Sequence, residues 1–231
     1  MSDKKNVSYW YLEDIDFNSI FCKTKLGGSM DHDHLIKYNK NEIIFLPENK
    51  VEKLYFIVEG RVKIGTYNDQ GKELTKSILE KGEVFGELSL LEDLDQSNFA
   101  VALESTSLCE MTTEEMKMMM KDHSSLSLFL MKIMGSRVLE MEKRLESMVF
   151  KDSRSRIIEY IVDLLDNKGE RVGYEWVLRN FLTHGEIANI TATSRQTVTT
   201  VLNDLKTKEI LTFNRKRLLV RDLDSLKNEI K

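Results

Sequence analysis

The sequence predicts an α+β fold in three consecutive parts, and three observations carry that expectation. Residues 35–111 alternate apolar and polar side chains in short runs punctuated by glycine, the period of β-strands. Residues 112–150 change to a helical period. Residues 182–205, LTHGEIANITATSRQTVTTVLNDL, hold two amphipathic segments, each with its own N-terminal cap, and a basic hairpin follows them. The expected arrangement is a lead-in and a small β-sandwich or barrel over 1–111, a helical hairpin and dimerisation helix over 112–150, and a winged helix-turn-helix over 151–231.

The 231 residues are enough for two domains with cores of their own. An apolar share of 41% with 31% charged residues fits a soluble globular chain. No apolar run is long enough to span a bilayer and the first residues show no signal-peptide pattern, so a cytoplasmic protein without membrane contact is expected. Cys22 and Cys109 are the only cysteines, and both are expected to be reduced thiols, Cys109 within the core. The net charge of −4 is unfavourable for a nucleic-acid partner. Residues 171–221, however, hold nine basic and four acidic residues, a local +5 that leaves −9 on the rest. That asymmetry fits phosphate contact by one part of the chain, and it also fits an ordinary solvated basic face.

In chain order, residues 1–35 read as a polar lead-in with one or two short helices. His32 and His34 form an H-x-H pair, but no third ligand is placed nearby, so the run reads as a surface loop and no metal is assigned. Strands are expected at 43–45, 53–59, 62–64, 73–78 and 99–103, with a hairpin tip at Asn68–Gly71 and a glycine-dependent turn at Gly60. After a break near residues 122–125, Met131, Met134, Val138, Met141, Leu145 and Met148 recur at spacings of three and four. Such a seam buries itself most economically against its twin in a parallel coiled coil, or else against its own β domain. Nine of the eleven methionines fall between Met111 and Met148, and their adaptable packing suits a core with two arrangements. Ser153 is expected to cap the next helix, which ends at Gly169, and 174–178 reads as a short strand.

Thr183 with Glu186 forms a capping box for the first helix of the pair, and Ser194 caps the second. Val198, Val201, Leu202 and Leu205 face inward, which turns Arg195, Gln196, Thr199, Thr200 and Asn203 outward. Arg can donate two hydrogen bonds to a guanine edge and Gln can pair with adenine, so the second helix suits the major groove of DNA. Thr183, His184, Ser194, Thr197 and Thr199 complete the expected DNA surface. Lys216, in the basic turn between the strand-like runs 211–213 and 218–220, is placed to reach phosphate as the tip of a wing. Two core helices with a hydrophilic back, or a winged helix that docks protein, remain the competing readings.

This order of parts resembles the cyclic-AMP receptor protein/Fnr family of bacterial transcription regulators. Gly82-Glu83-Val84-Phe85-Gly86-Glu87-Leu88-Ser89-Leu90-Leu91 and Thr183–Leu205 with Ser194-Arg195-Gln196-Thr197-Val198 carry the resemblance, which covers the chain from about Leu35. It implies a cyclic-nucleotide-binding-like jelly roll with an effector pocket, homodimerisation through the long helix, and binding to palindromic promoter DNA. It also implies contact with RNA polymerase if the protein activates. The family's base-reading positions match Arg195, Gln196 and Thr200. Cyclic-AMP-responsive members carry Glu and Arg at the second and third, so a different site sequence is expected here.

The implied effector set is Gly86, Glu87, Leu88, Gln96, Ser97 and Met141. In cyclic-AMP-binding members an Arg-Ser pair ten residues beyond the Gly-Glu pair neutralises the phosphate, and Gln96-Ser97 stands there. Gln has no charge to offer a buried phosphate. Met141-Glu142 replaces the Thr-Ser pair that holds the adenine. Cyclic AMP is therefore not the expected effector. An iron–sulfur cluster needs four cysteines, and nothing singles out a haem ligand among the four histidines, so the effector and any cofactor are unassigned. No nucleophile–base arrangement, phosphate-cradling loop or metal triad marks an enzyme.

Overall fold

A computed structural model describes residues 35–47, 52–91, 97–122, 124–214 and 217–230. They belong to two compact units that divide between Gly135 and Ser136, inside one long helix.

The first unit is a β-roll of two four-stranded antiparallel sheets. One has the order β1 (Leu35–Tyr38), β8 (Thr106–Thr112), β3 (Lys53–Glu59) and β6 (Val84–Phe85). The other runs β2 (Ile43–Phe45), β7 (Phe99–Ala102), β4 (Arg61–Tyr67) and β5 (Glu73–Glu80). Alternation decides what each face covers. Tyr55, Ile57, Val62, Leu79, Phe85, Ala100 and Leu108 point between the sheets as one core. Leu54, Phe56, Val84, Cys109 and Met111 point outward and are covered by Met116 of α1 (Thr113–Asp122) with Phe129 and Leu130 of α2 (Ser124–Phe150). The expected strands are present, and β1, β6 and β8 join them.

Gly60 sits at φ 91, where a Cβ would come within 2.6 Å of the Ser105 carbonyl oxygen, so that turn requires glycine. The Asn68–Gly71 tip closes as expected, with the Asn68 side chain accepting from the Gln70 and Lys72 amides. Cys109 departs from expectation. It is fully buried, but it is disulfide-bonded rather than a reduced thiol; Cys22, like His32 and His34, lies outside the described residues.

The second unit begins within α2 and continues through α3 (Ser153–Lys168), β9 (Glu170–Val172), β10 (Glu175–Arg179), α4 (His184–Ile190), α5 (Arg195–Thr207), β11 (Leu211–Phe213), β12 (Arg217–Val220) and α6 (Leu223–Lys227). Its sheet has the order β11-β12-β10-β9. Ile157, Ile158, Ile161 and Leu165 of α3, Ile187 of α4, Val198, Leu202 and Leu205 of α5, and Leu211, Leu218 and Val220 of the sheet are almost wholly buried. The cap of α3 is Asp152 rather than Ser153: its carboxylate accepts from the Ser155 amide at 2.7 Å. A carboxylate there also suits the positive end of the helix, which favours aspartate over the serine one residue on. The last turns of α2 are tied to α3 by Lys143–Asp163 at 2.8 Å, Ser147–Glu159 at 2.6 Å and the Lys151–Glu159 ion pair.

Candidate nucleic-acid interface and effector site

Two caps and one strained turn fix the angle between α4 and α5. The Thr183 hydroxyl accepts from the Glu186 amide while the Glu186 carboxylate accepts from the Thr183 amide, so the capping box is complete. The Ser194 hydroxyl accepts from the Thr197 amide at 3.0 Å. Between the helices Ala192 adopts φ 50, the left-handed region, which lets the chain reverse direction within a few residues. With Val198, Val201, Leu202 and Leu205 buried, Ser194, Arg195, Gln196, Thr200 and Asn203 are all exposed on the opposite side. Arg195 faces outward.

The other expected contacts are partly committed within the protein. Thr199 donates to the Arg195 carbonyl oxygen at 2.9 Å and lies 2.8 Å from His184 Nδ1. The Thr197 hydroxyl lies 2.8 Å from that of Ser194. The His184 ring meets Phe213 edge-on at 5.5 Å, and its pKa is lowered from 6.5 by burial and then by the Arg195 charge. Lys216 lies outside the described residues, between the wing strands β11 and β12.

Arg156 was not among the expected residues. Its guanidinium donates to the carbonyl oxygens of Thr191 at 3.1 Å, Ala192 at 3.3 Å and Lys151 at 3.0 Å. One side chain thus holds both the turn between α4 and α5 and the segment that leads into α3. Nothing in the sequence signals this, because all three acceptors are backbone atoms and two of them are about 35 residues away. A second cluster braces the far end of α5. Arg154 bonds Asp204 at 2.7 Å and Glu229 at 2.6 Å, and Lys208 bonds Glu229 at 2.9 Å.

In the β-roll, Gly86 stands at φ 84 before the short 3-10 helix Glu87–Leu90. A Cβ there would lie 2.5 Å from the Lys53 carbonyl oxygen, so only glycine permits this approach. Glu87 is 6% exposed, an uncommon depth for a carboxylate, and Leu88 is half-buried. Ser97 is exposed, and its carbonyl oxygen accepts from Thr66 at 2.8 Å. Gln96 lies outside the described residues, and Met141 belongs to the second unit, 70% exposed. Among the described residues no cluster of three His, Cys, Asp or Glu side chains is placed to hold a metal ion. No described helix is long and apolar enough to cross a membrane.

A β-roll with a buried glycine-glutamate turn, joined to a capped helix pair with an exposed Arg-Gln-Thr face, defines a ligand-responsive transcription regulator. The chain matches the cyclic nucleotide-binding domain over residues 35–123 and the Crp-like helix-turn-helix domain over residues 155–229. It is 29% identical over 185 residues to a global nitrogen regulator of Nostoc sp., covering 79% of this chain and 83% of that one. With a cyclic AMP receptor protein of Thermus thermophilus it shares 28% identity over 80% and 82% of the two chains. Among solved structures, a CooA variant from Carboxydothermus hydrogenoformans superposes with a TM-score of 0.78 at 26% identity, covering 94% of this chain and 97% of that one. FixK2 from Bradyrhizobium japonicum, at 18% identity and a TM-score of 0.74 over 85% and 96%, shows the shared fold. The chain belongs to the cyclic-AMP receptor protein/Fnr family, and it is a transcription regulator rather than an enzyme.

Proposed function

We propose that this regulator works as a homodimer in the cytoplasm, placing α5 of each subunit in successive major grooves of a palindromic promoter site. The observation that carries this reading is the exposure of Arg195, Gln196 and Thr200 on one face of a helix whose other face is buried. Arg195 takes a guanine and Gln196 favours adenine. Thr183, His184, Ser194 and Thr197 lie where phosphates pass, with Lys216 of the wing reaching the backbone further along. Thr199 acts indirectly, since its hydroxyl is already engaged.

The long helix supports dimerisation: Met131, Val138, Met141, Leu145 and Met148 are exposed in the single chain at heptad spacing, and Met134 between them is half-buried. The domains act as a lead-in and β-roll sensor over 1–111, a helical hairpin and dimer helix over 112–150 and a winged helix-turn-helix DNA-binding domain over 151–231. An unidentified small molecule other than cyclic AMP binds in the β-roll beside Gly86, Glu87, Leu88 and Ser97, and where the protein activates it contacts RNA polymerase. Mobility shifts at varied salt test the DNA reading, because phosphate contacts give a steep fall of affinity with salt. A protein that retards no duplex at low salt would instead support docking of the winged helix on another protein.

A further inference from the structure

His184 occupies a position whose chemistry depends on its protonation state, and hydrogen bonding decides which state the free protein holds. Thr199 has one hydroxyl proton. Its oxygen donates to the Arg195 carbonyl oxygen at 2.9 Å and lies 2.8 Å from His184 Nδ1. Both bonds hold together only when Nδ1 carries a hydrogen and donates it to the Thr199 oxygen. In a neutral ring that leaves Nε2 with a lone pair, which repels a phosphate oxygen. Once protonated, Nε2 becomes a donor and the ring a cation, which a phosphate attracts.

The surroundings set when that change happens. On α4 itself, the Glu186 carboxylate is held back on the Thr183 amide at 2.6 Å. From α5, Arg195 presents a positive charge, and Lys206 lies 5.6 Å from the Phe213 ring that the imidazole also contacts. β11 contributes only that aromatic ring. Burial and the Arg195 charge hold the imidazolium below its ordinary value of 6.5, so the ring is neutral in the free protein near pH 7. A phosphate beside His184 offsets both effects, because its negative charge counters that of Arg195 and stabilises the imidazolium.

We propose that His184 binds a DNA phosphate as its imidazolium, so that binding of a duplex takes up one proton at Nε2 and tightens as pH falls. This rests on the reading that α4 and α5 dock on DNA. Phosphate contact is independent of sequence, so a fluorescein-labelled mixed-sequence duplex serves as the probe.

The experiment measures the affinity of the full-length protein by fluorescence anisotropy at constant ionic strength, between about pH 8 and pH 5.5. One proton per subunit contact predicts an affinity that rises as pH falls by up to ~10-fold per pH unit for each subunit engaged, or ~100-fold when both subunits of a dimer engage. His184→Gln should lose that part of the slope, and His184→Arg, permanently charged, should bind tightly with the slope equally removed. The other histidines, His32, His34 and His123, are common to all three proteins, so the difference between curves isolates His184. Equal slopes for wild type and His184→Gln would overturn the inference while leaving DNA binding intact. So would an imidazole nitrogen spectrum of the free protein that places the hydrogen on Nε2. Failure of both wild type and His184→Arg to bind any duplex would overturn the DNA reading itself, and the inference with it.

Discussion

At the scale of residues, specificity and support fall to different side chains. Arg195, proposed to read a base, is exposed at the start of α5. Arg195→Ala should therefore cost about 1–3 kcal/mol of binding free energy and relax selectivity at one base pair of each half-site. A binding-site selection with the variant checks this, and equal loss on every sequence would reassign Arg195 to phosphate. Arg156 should behave in the opposite way. Removing it leaves the Thr191, Ala192 and Lys151 carbonyls without their donor. Arg156→Ala should lower stability by about 1–3 kcal/mol, read from denaturant midpoints, and weaken all duplexes alike. The outward set of α5 was legible in the sequence because caps and periodicity are local signals. Arg156 was not, because its partners are backbone atoms brought near only by folding. The Asp152 cap was missed by one residue for a related reason: aspartate and serine both qualify, and only the folded turn, which brings the Asp152 carboxylate to the Ser155 amide, chooses.

At the scale of elements, the long helix carries two kinds of packing in one run. Its first turns bury Leu126, Phe129 and Leu130 on the β-roll, whereas from Val138 onward the apolar side chains are exposed, up to 81% at Phe150. The heptad spacing in the sequence foretold a seam, yet spacing alone could not tell which part is covered by the chain itself. Met141→Glu should leave the subunit folded, because that side chain touches solvent. It should split the proposed dimer by setting unpaired carboxylates against each other, a penalty of roughly 3–5 kcal/mol if the seam closes over them. Sedimentation velocity reads the outcome, and a dimer unchanged by the substitution would place the interface elsewhere. The strands β1, β6 and β8 were not foreseen individually. β6 has only two residues, too few to show alternation, and β8 interleaves Thr, Ser and Cys with its apolar residues.

At the scale of the whole molecule, charge is divided as the sequence suggested, with the basic share gathered in the DNA-binding part. Within that part the ion pairs joining α3, α5 and the C-terminal segment have a consequence for acid stability. Asp204 is held below 3.8 chiefly by its bond from Arg154, and Glu229 below 4.5 chiefly by Lys208 and then Arg154. Carboxylates held down in this way stabilise the fold above their ordinary values. That contribution is lost as pH falls from about 4.5 downward. Urea midpoints measured against pH should drop across that window, and Glu229→Gln should flatten the drop; the effect is modest because these groups are solvent-accessible. An exposed α5 on each half of a dimer implies a symmetric footprint on DNA. Hydroxyl-radical footprinting on a duplex that the protein itself enriches from a random pool tests it most directly. Two symmetric protected patches are expected on one face, centred about 34–36 Å apart, one helical turn. A single patch, or no protection on any enriched duplex, would contradict it.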